Sequence, residues 1–298
     1  MKNILLILLS TFQLALFSGC AKKTPLNKAD FSFGIITDCQ YHAEPGTGER
    51  KYSISNKKLQ ASVDHFNQMD VEFVIHLGDF IDKDFESFDA VAPIYEQLSA
   101  PHYHVLGNHD FSVADDKKSE VSKKLGMPAN YYDFVVKGWR FVVLDGNDVS
   151  FHAHPEDSDS YKHAAEYYEF NKIDSPKWNG AIGEAQLVWL ESILKKAEKA
   201  NESVALFCHF PLHPDNVHNL WNAEHVIGVI EKHDCVKAYI NGHNHAGNYG
   251  VKNGIHYLTV QGMVDTEENS YAVVTLDKDK LQLVGYGREQ NRTMDILK

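Results

Sequence analysis

Apolar residues along the chain fall into short β-branched or aromatic runs, each closed by a small or polar residue, at 31–37, 72–77, 102–106, 140–144, 204–208 and 236–240. Runs of this length and composition predict strands. Between them, Leu59, Val63 and Phe66, and then Leu187, Leu190 and Leu194, recur three or four apart, the stripe of an amphipathic helix. Strand and helix alternate, which predicts a layered α/β architecture with substantial parallel pairing. Pro93 interrupts the helical pattern over 88–98, so that helix is short or kinked. After residue 255 strand follows strand, at 256–261, 271–276 and 281–285, and reads as an antiparallel finish to a second sheet. No repeat or linker divides the chain, and one domain over 31–290 is expected. The segment 152–174 is dense in His, Asp, Glu and Tyr, and predicts a solvated surface excursion. Its His152, His154 and His163 read as loop residues rather than a metal site.

The N-terminus has the pattern of an address. Lys2 precedes apolar stretches at 4–9 and 14–17, which are too short and interrupted for a membrane span. They end in Phe17-Ser18-Gly19-Cys20, which resembles the lipobox of bacterial lipoproteins. The resemblance implies cleavage before Cys20 and acylation of its thiol. Residues 1–19 are then a lipoprotein signal peptide and 20–30 a tether, and the protein is exported to the bacterial cell envelope on a lipid anchor. An ordinary secretory signal is the alternative. Cys39, Cys208 and Cys235 remain, too few for a disulfide scaffold; Cys39 and Cys208 read as small buried hydrophobes.

Charge changes the picture by exclusion. With 29 basic and 41 acidic side chains the formal charge is −12, unsuited to a nucleic acid polymer, whose binding needs clustered Lys and Arg. The 17 histidines point instead to metal or acid/base chemistry.

The polar residues that follow the strands carry that chemistry. Asp38 and Gln40 follow the first strand, Gly78-Asp79 the second and Gly107-Asn108-His109-Asp110 the third. Later, His209 follows the run ending at Cys208, and Gly242-His243-Asn244-His245 the run ending at Ile240. In an α/β sheet, residues beyond the carboxyl ends of strands converge on the ligand crevice. Carboxylate, amide and imidazole donors without thiolate suit two divalent cations, Mn²⁺ or Fe²⁺ foremost, with Zn²⁺ and Co²⁺ as further candidates. Asp79 is the natural bridge between them.

This order resembles the calcineurin-like metallophosphoesterase superfamily, with Gln40 where most members have His. A narrower resemblance accommodates that change. The Asp-x-Gln opening, 50–52, 131–134, 138–141, Asn179-Gly180-Ala181-Ile182-Gly183, 209–214, Leu220-Trp221-Asn222 and 285–288 are similar to the manganese-dependent ADP-ribose/CDP-alcohol diphosphatase family. The resemblance implies two mixed β-sheets packed face to face and flanked by helices. It implies one ion on Asp38, Gln40, Asp79 and His245 and another on Asp79, Asn108, His209 and His243, with a shared hydroxide attacking phosphorus. His109 would then serve the leaving oxygen as catalytic acid, with Asp110 orienting its imidazole. A neutral amide at Gln40 is a weaker and harder donor than imidazole, and shifts preference from zinc toward manganese.

The expected substrate is a small nucleotide-type molecule with a diphosphate linkage. Beside Asn108 and His109, its expected contacts are His213 for phosphate and Trp221 and Tyr249 for a base or ribose. A cyclic-nucleotide phosphodiesterase or phosphomonoesterase on the same scaffold stays open, as does a metal-binding surface lipoprotein without turnover.

Overall fold

The computed structural model describes residues 30–296, so the expectations for the signal segment and Cys20 lie outside the described residues. Twelve strands form two six-stranded sheets among these residues. The first sheet takes β1 (Phe31–Ile36), β2 (Val74–His76) and β3 (His102–His104) in parallel, then adds β10 (Ser270–Leu276), β11 (Lys280–Gly287) and β12 (Arg292–Asp295) antiparallel, in the order β12-β11-β10-β1-β2-β3. In the second, β5 (Trp139–Val143), β6 (Ser203–Phe207), β7 (Val236–Asn241) and β9 (Ile255–Thr259) run parallel. Here β4 (Tyr132–Val136) and β8 (Asn248–Lys252) close the two edges antiparallel.

The antiparallel finish expected for the second sheet is therefore divided. The run after residue 255 becomes β9, parallel to β7, whereas β10 to β12 return to the first sheet beside β1. Alternation along a strand shows which residues face a partner sheet but not which edge the strand joins. The fold also continues past the expected limit at 290, because β12 pairs with β11 through Asp295.

Phe33, Phe73, Phe141 and Phe207 pack between the sheets, with Phe33 and Phe73 stacked at 4.8 Å. Helices α1 (Ser55–Phe66) and α2 (Phe88–Tyr95) cover the outer face of the first sheet. Pro93 lies in the last turn of α2, which stops at Tyr95 and is short rather than long and kinked. The four-residue α3 (Val121–Lys124) follows β3. The excursion at 152–174 is more ordered than expected. It holds α4 (Asp159–Phe170), capped by the Ser158 hydroxyl on the Tyr161 N–H, and Phe151 and Tyr168 pack on Trp221. Helices α5 (Glu184–Ala200) and α6 (Ala223–Ile230) bury Leu187, Leu190, Leu194, Val226 and Ile230 on the outer face of the second sheet. Cys39, Cys208 and Cys235 are free, the first two fully buried. No helix among the described residues is long and apolar enough to cross a membrane.

Candidate metal centre

Face-to-face packing brings the carboxyl ends of β1, β2, β6 and β7 and the loop after β3 to one crevice. Asp38, Gln40, Asp79, Asn108, His209, His243 and His245 all converge there, each less than a tenth exposed. The backbone bends sharply to present them: Asp38, Gln40, Asp79 and His243 have φ of 51°, 43°, 57° and 69°. Each of these left-handed conformations costs on the order of 1 kcal/mol or more in a side-chain-bearing residue, strain that surrounding structure must hold. Two glycines make the approach possible. A Cβ at Gly107 would fall 2.2 Å from the Asp79 carboxylate, and one at Gly242 would fall 1.9 Å from the Thr37 hydroxyl and 2.6 Å from Asp38.

The donor set fits divalent cations on its hydrogen bonding. Each of the three imidazoles has one nitrogen turned outward to an acceptor: His209 Nδ1 to the Leu77 carbonyl (2.9 Å), His243 Nε2 to Asn179 Oδ1 (3.0 Å) and His245 Nδ1 to Asp265 Oδ1 (3.0 Å). The opposite nitrogens point inward. His209 Nε2 lies 3.2 Å from Asp79 Oδ2 and 3.1 Å from His243 Nδ1, and His245 Nε2 lies 3.2 Å from Asp38 Oδ1. An outer acceptor that fixes the tautomer is the usual support of a metal-binding imidazole. Among the described residues, Asp79, His209 and His243 form a cluster of metal-ligand spacing, Asn108 Oδ1 is buried without a hydrogen-bond partner, and buried Asp38 Oδ1 meets only the His245 ring, at an ion-pair distance without hydrogen-bond geometry. Buried oxygens of this kind are costly unless something binds them. Burial would raise the Asp79 pKa, but the histidine charges around it outweigh burial and hold the carboxyl well below its usual range. Burial opposes protonation of His209, but Asp79 overcomes it and lifts the imidazole to about 9. A metal ion must displace that proton.

Gln40 uses both ends of its amide. Its Nε2 donates to Asp79 Oδ2 (3.0 Å) and its Oε1 accepts from Arg50 Nη1 (2.5 Å), so it links the cationic wall of the crevice to the central carboxylate, and serving an ion through Oε1 requires the amide to turn over and release Arg50.

His109 and Asp110 separate in role. His109 Nδ1 meets the Asp82 carbonyl at 3.0 Å and the Asp82 carboxylate at 3.2 Å, leaving the other ring nitrogen for the cavity. Burial would lower its pKa, but Asp79 and Asp82 reverse this and lift it to about 9. Asp110 does not orient that imidazole. It is fully buried and accepts from the backbone N–H groups of Asp79, Phe80 and Gly107 at 2.8–3.1 Å, bracing the turns that carry Asp79 and Asn108. Adjacency in sequence misled here because the 3-10 turn at His109–Phe111 sends the two side chains in different directions. The orienting carboxylate is Asp82, three residues beyond Asp79, and the Gly-Asp-x-x-Asp spacing was the available signal.

The crevice is a cavity of about 360 Å³ lined by Gln40, Arg50, Asp79, Asn108, His109, Trp178, His218, His243 and His245. The three more distant substrate contacts expected from sequence are not in it. His213 packs on Tyr257, and Tyr249 Oη bonds His256 Nδ1 while its ring faces Arg292. Trp221 Nε1 donates to the Pro176 carbonyl and its ring fills a satellite core. The aromatic wall is formed by Trp178 and His218, ring centroids 5.1 Å apart and each packed on His243. Trp178 precedes Asn179, the outer partner of His243, and is 40% exposed, an open apolar surface beside a polar floor. His152 is half-buried, with Nε2 on Asn147 Oδ1, and belongs to no metal-ligand cluster among the described residues.

Comparison with known proteins agrees with this geometry. The model of the calcineurin-like phosphoesterase family matches residues 31–247. A manganese-dependent ADP-ribose/CDP-alcohol diphosphatase of Arabidopsis thaliana is 33% identical over 92% of this chain and 98% of its own, and the Homo sapiens protein of that name is 29% identical over 90% and 93%. A dimetal phosphatase from Danio rerio superimposes with a TM-score of 0.81 at 28% identity, over 92% of this chain and all of that one. A purple acid phosphatase from yellow lupin, at 14% identity and a TM-score of 0.58, shares the fold. With the sheets, the strand-end ligands and these matches in agreement, the chain belongs to the calcineurin-like phosphoesterase family and is a metal-dependent hydrolase of phosphoric esters or anhydrides.

Proposed function

We propose that this protein hydrolyses the phosphoanhydride bond of nucleoside diphosphate derivatives of the ADP-ribose or CDP-alcohol type. The observation that carries this reading is the cavity itself, which joins the ligand floor to a cationic wall at Arg50 and an aromatic wall at Trp178 and His218. The names of the relatives that match nearly the whole chain support it. When bound at Asp38, Gln40, Asp79, Asn108, His209, His243 and His245, two divalent ions supply Lewis-acid polarisation and acidify water toward neutral pH.

The chain's own residues do the rest. Arg50 offsets charge on the non-bridging phosphate oxygens, and His109, held by Asp82, gives its proton to the leaving phosphate oxygen. Trp178 and His218 present a ring face to the base or ribose. Water adds across the anhydride, so ADP-ribose yields AMP and ribose 5-phosphate, and CDP-choline yields CMP and phosphocholine.

A panel with Mn²⁺ tests the reading: ADP-ribose, CDP-choline, a cyclic mononucleotide and para-nitrophenyl phosphate. The two diphosphates should turn over fastest. Preference for the cyclic nucleotide or the monoester would move the protein to that reaction, and no turnover of any would favour a metal-binding lipoprotein. Metal-depleted protein should recover more activity with Mn²⁺ than with Zn²⁺; equal recovery removes the argument from the Gln40 amide. We also propose export and lipid anchoring through Cys20, supported by the 17–20 tetrapeptide. Cys20→Ala should lose incorporated fatty acid and leave the membrane fraction; retention of both would refute the anchor.

A further inference from the structure

The loop at 262–267 touches three parts of the metal centre. Its Met263 and Val264 N–H groups donate to the carbonyls of Thr37 and Asp38 (both 2.9 Å). It bridges to Arg50 through Asp265, with Thr266 N–H on the Glu49 carbonyl (2.7 Å) and Lys51 N–H on the Val264 carbonyl (3.0 Å). Its Asp265 carboxylate holds His245 Nδ1 at 3.0 Å. The loop has no regular structure of its own and carries Thr266 at φ 57°, so an outside contact must hold it.

Beyond those backbone bonds and the Arg288 guanidinium on the Gly262 carbonyl, the side chain that grips the body of the loop is Lys58. Its ammonium, on a residue only 6% exposed, donates to the carbonyls of Met263 (2.6 Å), Thr266 (2.7 Å) and Asp265 (3.2 Å). An ammonium has three donors, and here all three find oxygens of one loop. The lysine is anchored in turn, since α1 is tied to the chain beyond the loop by Asn269 Nδ2 on the Lys58 carbonyl (2.8 Å). We infer that Lys58 is a positioning residue for the ion bound by Asp38 and His245, acting through the loop and Asp265. This rests on the proposed ligand set. Asp79, His209 and His243 are held by Leu77, Gln40, His109, Asp110, Asn179, Asp38 and one another, none of them a residue of the loop.

The test is Mn²⁺ binding to the full chain, read by electron paramagnetic resonance and calorimetry, with thermal melting as the check on folding. Lys58→Met should weaken one of two Mn²⁺ sites about 10-fold, in the range seen when an outer-shell partner is lost, and leave the other unchanged. Lys58→Arg, which keeps charged donors, should restore most of it. Asp265→Asn should weaken the same site, and the double variant should be little worse than either single one. Equal loss at both sites, unchanged affinities, or fully additive effects would overturn the role. If Lys58→Met does not fold, Lys58→Gln with Asp265→Asn completes the same cycle. Should the wild-type chain bind fewer than two Mn²⁺, the ligand set fails instead of the role of Lys58.

Discussion

The floor and the aromatic wall of one cavity are built by opposite means. On the floor, seven proposed ligands stand at strand ends or in the turns just beyond, buried, four of them in left-handed backbone, with outer acceptors fixing each imidazole. On the wall, Trp178 and His218 sit in loops, Trp178 40% exposed and held through its neighbour Asn179 and its ring contacts with His218 and His243. In the proposed reading, chemistry that tolerates little displacement is mounted on the sheets, and recognition is mounted where the chain can vary without disturbing them.

Substitutions can break or sharpen this contrast. The largest effect belongs to the floor: Asp79→Asn should lose Mn²⁺ and turnover together by at least about 10²-fold, more than an outer-shell loss, as measured by metal content and kcat. His109→Ala should keep both ions and lose about 10²-fold in kcat. Metal loss in that variant would make His109 part of the floor.

Asp145 supplies an intermediate case, since it too follows a strand end yet joins no metal-ligand cluster among the described residues. Burial lifts its pKa from 3.8 to about 7, so its ionised form is disfavoured in the folded state. The cost is absent below about pH 4, grows as pH rises, and is complete above about pH 7. Asp145→Asn should therefore stabilise the fold at pH 8 by about 1–4 kcal/mol and do little at pH 4. A Tm gain independent of pH would refute this cause.

The smallest effects belong to the wall. Trp178→Ala should raise KM for a nucleoside diphosphate substrate by about 10-fold, the worth of one stacked ring, with metal content unchanged. Its control is Trp221→Phe, which gives up one hydrogen bond to Pro176 and should cost about 1 kcal/mol of stability with KM unaltered.

The contrast also explains what was legible in the chain. The convergence of Asp38, Asp79, Asn108, His209, His243 and His245 on one crevice could be read because a run of apolar residues ending in Gly or a polar residue marks both the strand and its mouth. His213, Trp221 and Tyr249 were misplaced because an aromatic residue carries the same signal whether it lines a cavity or fills a core. Their replacements, Trp178 and His218, carry no periodic mark, being loop residues brought together by the Asn179–Val217 hydrogen bond. Asp110 was given the role of Asp82 because neighbours in sequence need not share a direction in a tight turn.

By itself, the sequence determined the alternation of strands and helices, the ligand types at strand ends and the acidic balance, since these rest on local periodicity and composition. Tertiary structure decided that β10 to β12 return to the first sheet, that Asp110 braces turns while Asp82 orients His109, and that Lys58 reaches three carbonyls more than 200 residues away. The reason is physical: each of those outcomes depends on which surfaces meet when the sheets close, and no residue carries that information in its own neighbourhood.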